Sequence, residues 1–266
     1  MLHRPLIVLL CALLLPALGL PRQEGEDPSA RVYSAYVTAA AAHDEEQLIA
    51  LWRKHPDLVL VTIDRDVEGS LAMVEAAARS NAEVDEAALA ALHERAAFGA
   101  LCAERATGHP ILVDYVASFR SWNLAERTAF RSGQAAHGKA REALRAGEFA
   151  QAQAAARECF ELAAPLGDWW GSAMGLATLG EAQAAAGDHT SAISSLGRAR
   201  LLYHDLGLAG AEMRVLTHLA SSLQAKDRPE RETEVVRNAL DLAERLGATE
   251  LAKELTARAR ELAKSR

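Results

Sequence analysis

The sequence predicts an all-α fold: an α-solenoid of antiparallel helix pairs, preceded by a helical N-terminal region and closed by a capping helix. Three observations carry this. Alanine and leucine dominate and β-branched runs are scarce, which favours helix throughout. A unit of 40 residues recurs through the second half of the 266-residue chain. Within it, small residues stand where a soluble helix usually carries larger ones, as in "LGEAQAAAGDHTSAISSLGRA" (179–199). Two helices packed closely need small side chains where their axes approach, so Gly180 is expected to face Ala192, and Ala199 the next pair.

Residues 1–19 read as a separate object. His3 and Arg4 precede an apolar run from Leu6 to Leu15, then Pro16 and Ala17-Leu18-Gly19. A weakly basic start, an apolar core and small residues at −3 and −1 form a secretory signal pattern, with cleavage expected after Gly19. An uncleaved anchor is the alternative, although the run is shorter than the ~20 residues a membrane span needs. Residues 20–30, "LPRQEGEDPSA", are polar with Pro and Gly and read as a flexible leader.

Residues 31–130 read as helices without a clear repeat. "DEEQLIALWRK" (44–54) spaces Leu48, Ile49, Leu51 and Trp52 helically and ends before Pro56. "LVLVTI" (58–63) has strand propensity but leads into an alanine-rich segment, so a helix is expected. "EVDEAALAALHERAAFGALCAERA" (83–106) is a long amphipathic helix stopped by Gly108-His109-Pro110.

Residues 131–247 hold three repeats. Leu166-Gly167, Leu206-Gly207 and Leu246-Gly247 lie 40 residues apart, as do Gly147, Gly187 and Asp227, and Leu162, Leu202 and Leu242. Each unit reads as helix, short turn, helix, then a loop opened by Leu-Gly, whose glycine suits a left-handed C′ position. Residues 248–266, "TELAKELTARARELAKSR" from 249, form the capping helix. Three repeats barely suffice to bury a continuous core, so the first-half helices are expected to pack on the first repeat.

The formal charge of −7 argues against a nucleic-acid binder, which needs a basic face. No nucleophile-elbow, zincin, dinucleotide or phosphate-loop motif is present, and the histidines lack metal spacing, so no cofactor is expected. Cys102 and Cys159 can bridge the two halves or sit unpaired and buried, and free Cys is among the most buried types. Asp64-Arg65-Asp66 reads as a solvated helix face. Trp169-Trp170 reads as an inter-repeat wedge or an exposed partner anchor.

The middle unit resembles the tetratricopeptide repeat in its variant of about 40 residues. Leu176, Leu179-Gly180, Ala192, Leu196 and Ala199 occupy that family's apolar, Leu-Gly, small, bulky and Ala positions. The flanking units depart from it, with Lys139-Ala140 in place of Leu-Gly and Glu232 in place of the small residue. The resemblance implies a concave face built by the first helix of each pair. It places Gln134, His137, Arg141 and Arg145 there from repeat one, Met174, Ala177 and Glu181 from repeat two, and Arg214, Thr217, Ser221 and Gln224 from repeat three. The Lys and Asn that clamp a terminal carboxylate in some families are missing. Arg141, Arg145 and Arg214 can instead pair with carboxylates of an acidic or extended segment of another protein. The leading expectation is therefore a non-catalytic, exported scaffold. Two alternatives stand beside it: an enzyme whose site lies in 31–130, where "HPDLVLVTIDRD" is the one candidate patch, and a self-associating envelope component.

Overall fold

The computed structural model describes residues 27–264, and the signal-like segment and most of the leader lie outside them. Among the described residues the chain forms twelve α-helices and no strand. Pro28–Ala41 (α1), Glu45–Lys54 (α2), Val59–Ser80 (α3), Glu86–Thr107 (α4) and Ile111–Ser121 (α5) make the N-terminal unit. The pairs that follow are Leu124–Arg145 (α6) with Phe149–Ala163 (α7), Trp169–Ala185 (α8) with His189–Asp205 (α9), and Ala209–Ala225 (α10) with Pro229–Arg245 (α11), before Thr249–Lys264 (α12). No helix among the described residues is long and apolar enough to cross a membrane.

Helix boundaries follow from local chemistry. Asp44, Asp85, Asp168 and Asp188 cap α2, α4, α8 and α9 by accepting a backbone N–H from the first turn, which satisfies a donor with no helical partner. Asn123 and Glu126 form a reciprocal capping box on α6. The first helix begins earlier than expected, at Pro28 with Asp27 as its cap, inside the segment read as leader. The β-branched run at 58–63 is helical: a 3-10 turn, Pro56–Leu58, feeds directly into α3. Its side chains pack in the core, with Leu60 and Ile63 1% and 0% exposed, so tertiary burial overrides propensity.

In the repeats, the six residues at 147, 167, 187, 207, 227 and 247 all adopt positive φ, between 50° and 85°. Five are glycine, and the sixth, Asp227, is of a type that tolerates the left-handed region. The close approach at Gly180 differs from the expectation. A Cβ there would lie 2.6 Å from Leu196 Cγ, so the glycine makes room for the bulky residue rather than for Ala192. The first repeat's departure is then compensated. Ala140 stands where the second has Gly180, and it packs with Ala156, which stands where the second has Leu196. Between repeats, a Cβ on Gly175 would meet Phe160 N at 2.8 Å and Ala156 O at 3.1 Å, so α8 rides directly on the backbone of α7.

Glu232, the other departure, is 3% exposed and receives Arg258 of α12 through Nε at 2.6 Å and Nη2 at 3.0 Å. The capping helix therefore carries the countercharge that lets the third repeat keep an acid at a buried position. Cys102 and Cys159 are both buried and free, so no bridge joins the halves.

The N-terminal unit closes around Asp66, which the solvated-face reading misplaces. It is fully buried, and its carboxylate accepts Tyr33 and Tyr36 hydroxyls at 2.8 Å each and Arg95 Nε and Nη2 at 2.7 and 2.5 Å. Contacts with the repeats reach beyond the first pair. Arg131 of α6 binds Glu68 and Glu75 of α3, and Trp122 Nε1 donates to Leu166 O at 3.0 Å. The Pro56 carbonyl approaches Gly207, between the second and third repeats.

Two outcomes test this packing. Gly175→Ala should lower stability by about 2 kcal/mol, since backbone cannot yield to the added methyl, whereas Gly197→Ala, with open space around it, should gain about 0.5–1 kcal/mol from helix propensity. Arg258→Ala should cost about 2 kcal/mol or more by leaving Glu232 buried and unpaired, and Glu232→Ala in the same chain should recover most of that. Both pairs are read by urea denaturation.

Candidate binding groove

The first helices α6, α8 and α10 stand side by side because identical 40-residue spacing brings equivalent positions to one face. Between them lies a cavity of about 740 Å³. His137 and Arg141 line it from α6, Trp170, Met174, Ala177, Thr178 and Glu181 from α8, and Arg214, Val215 and His218 from α10. Tyr203 of α9 forms part of its floor, and Asp57, from the N-terminal unit, borders it. The volume lies in the range of pockets that hold a small ligand or a few peptide residues.

The sequence-derived residues divide. His137, Arg141, Met174, Glu181 and Arg214 converge on the cavity. Gln134 lines a smaller neighbouring one, where its amide donates to Glu68 Oε1 at 2.8 Å and accepts from Arg131. Arg145 folds back onto the Arg141 carbonyl at 3.1 Å. Thr217 and Ser221 spend their hydroxyls on carbonyls four residues earlier in α10, and Gln224 lies exposed at its end. Those four line neither cavity.

Charge inside the groove is largely paired. Arg141 Nη1 lies 2.7 Å from Glu181 Oε2, and His218 Nε2 lies 4.0 Å from Glu181 Oε1. Sequence reading missed this pair although its signal is present: positions 141 and 181 are equivalent in the repeat frame and carry opposite charges. His137 sits 3.4 Å from Thr178 Oγ1, and burial together with the Arg141 charge lowers its pKa, so the imidazole is held neutral. Arg214 is exposed and has no carboxylate partner among the described residues.

The smaller cavity, about 250 Å³, shares His137, Trp170 and Met174 with the larger one. It lies in the seam between the N-terminal unit and the repeats, lined by Asp64 and Glu68 of α3, Tyr115 of α5, Phe130 of α6 and Asp168, the α8 cap. Asp64 accepts the Tyr115 hydroxyl at 2.6 Å. Burial nevertheless pushes its carboxyl up to about 6, with Glu68 adding to the shift. Asp168 is pushed up to about 7, again by burial, against the Gly171 N–H that favours its charged form. Trp170 is half-buried and lines both spaces as the wall between them. The acids of this seam were not legible as a site, because Asp64 and Asp168 lie 104 residues apart in sequence.

Carboxyls raised above their unfolded values make the folded chain hold extra protons between about pH 4 and pH 7. Their contribution to stability is therefore full at the acid end and is lost as pH rises through 6 to 7. Asn retains both the Asp168 cap and the Asp64 contact with Tyr115. The variant Asp64→Asn/Asp168→Asn should accordingly exceed the wild type at pH 8 by on the order of 2 kcal/mol, and the gap should shrink towards pH 5. Denaturation at both pH values measures the difference and cancels the other titrating groups.

No protein-family model matches this chain, and comparison with curated proteins finds no match either.

Proposed function

We propose that this chain is a non-catalytic binding module of the tetratricopeptide kind, which holds an extended, acidic segment of another protein in the groove between α6, α8 and α10. The observation that carries the reading is the convergence of equivalent repeat positions on one large concavity: His137 with Ala177, and Met174 with Arg214, are pairs spaced by 40 residues. A scaffold that repeats the same face presents successive, differently dressed subsites to a linear ligand. The apolar wall of Trp170, Met174, Leu208 and Val215 supplies desolvated area, and Arg214 supplies an unpaired charge at its edge. The signal-like residues 1–19 favour an exported protein, and N-terminal sequencing of the mature chain checks that part.

The decisive comparison is between Arg141→Glu/Arg214→Glu and Arg237→Glu, an exposed position on the second helix of the third pair. Partners captured by the wild type from native extract should be lost at least tenfold with the groove variant and retained with the other. Equal retention by both sinks the groove.

A second reading rests on the seam. Two carboxyls poised at about 6 and about 7 beside Tyr115 suit general acid–base work at neutral pH. That reading places an enzyme site at the junction, with the repeats as accessory. It requires a reaction abolished by Asp64→Asn alone, in a protein whose partner capture is intact.

A further inference from the structure

One position in the groove breaks the repeat. Residues 163, 203 and 243 are equivalent, and the first and third are alanines, 2% and 0% exposed. The second is Tyr203, which is 6% exposed. A small residue suffices for the helix packing at this position, so the phenol is not demanded by the solenoid. Its hydroxyl makes no hydrogen bond to any described residue. Tyr203 lines the larger cavity together with Arg214, Glu181 and Arg141, and these three charges act on its phenol more strongly than Cys159 of the smaller cavity does. The residue is largely buried, but its oxygen is not among the fully buried side-chain atoms that lack a partner, so it is open to the cavity, where water or a ligand can meet it.

Beside it stands Arg214, the one lining arginine without a carboxylate partner among the described residues. An Arg guanidinium and a phenol together offer converging donors that match the two oxygens of one carboxylate. Apolar surface continues on both sides along the solenoid: Trp170 and Met174 of α8 on one, Leu246 after α11 on the other. A bound chain thus runs past this point in both directions, which suits a side-chain carboxylate rather than a chain end.

We propose that the groove recognises an Asp or Glu side chain within an extended peptide, held by Arg214 and the Tyr203 hydroxyl, with an apolar neighbour against Trp170 and Met174. This rests on the groove reading above and assigns its specificity. Three pools of randomised seven-residue peptides test it on the full chain. Two are capped at both ends and carry central Glu or central Gln, and the third carries central Gln with a free C-terminal carboxylate.

Fluorescence anisotropy should show the capped Glu pool binding at least tenfold tighter than either Gln pool. Tyr203→Phe and Arg214→Gln should each remove most of that preference. Tyr203→Phe should leave the melting temperature unchanged or higher, since no protein hydrogen bond is lost. Equal binding of the capped pools, no binding of either, or preference for the free terminus overturns the subsite. So does a Tyr203→Phe protein that melts lower and keeps the preference, which assigns the hydroxyl to an ordered water of the fold. Equal binding of the capped pools leaves the groove itself standing; only the partner-capture comparison removes that.

Discussion

The structure depends on a left-handed turn every twenty residues from 147 to 247. Each turn reverses the chain in two or three residues, so the helices between them from α8 to α11 are all 17 residues, about 25 Å, long. Equal lengths and equal turns stack residue i over residue i+40. That stacking makes helix packing and groove lining consequences of the same period. Where the stack is tight, glycine is placed by need: Gly180 yields to a leucine side chain and Gly175 to backbone. Both are features of the second repeat, which also supplies the central wall of the groove.

The repeat array alone would present an open concave face. The N-terminal unit changes that. Its α3 lays Glu68 and Glu75 on Arg131, and its first 3-10 turn brings Asp57 to the groove's edge. What ties this unit together is the buried Asp66 carboxylate of α3, whose lone pairs are taken by two tyrosines of α1 and an arginine of α4. A buried charge so fully hydrogen-bonded is tolerated where an isolated one is not. The unit is thereby not an appendage of the first repeat, as packing considerations alone suggest, but a wall that reaches towards the third and turns the groove into bounded cavities.

Periodicity made much of this legible. The repeat boundaries and the capping helix follow from the 40-residue spacing, and five of the groove residues from the tetratricopeptide resemblance laid over it, because the period fixes which residues share a face. The contacts of residues without a periodic partner do not follow. Nothing local distinguishes Asp66, fully buried, from Arg65 beside it, fully solvated in the sequence reading; only the arrival of Tyr33, Tyr36 and Arg95 does. Likewise, Asp64 and Asp168 meet through folding, and Glu232 looks like an error until Arg258 is seen opposite. Thr217, Ser221 and Gln224 were placed on the groove by frame alone. The Thr217 and Ser221 hydroxyls bond their own helix instead, a local competition that register cannot reveal, and Gln224 lies exposed at the helix end.

The seam acids show where the chain departs from what stability favours. Asp64, Glu68 and Asp168 surround one small cavity, and the Arg131 that serves Glu68 is shared with Glu75. Apolar residues of similar size would bury more favourably there, since partly satisfied buried acids are costly next to well-packed alternatives. Caps, left-handed turns and small residues all point to the same fold, and Glu232 is compensated. A few buried polar atoms, Arg127 Nε, Ser172 Oγ, His189 Nδ1 and Ser222 Oγ, go without a partner among the described residues. At the junction of the two halves, beside the wall shared with the groove, the chain accepts the cost of burying an acid at three positions. The seam and the groove meet at His137, Trp170 and Met174, which line both spaces, so a substitution at any of the three alters both cavities at once.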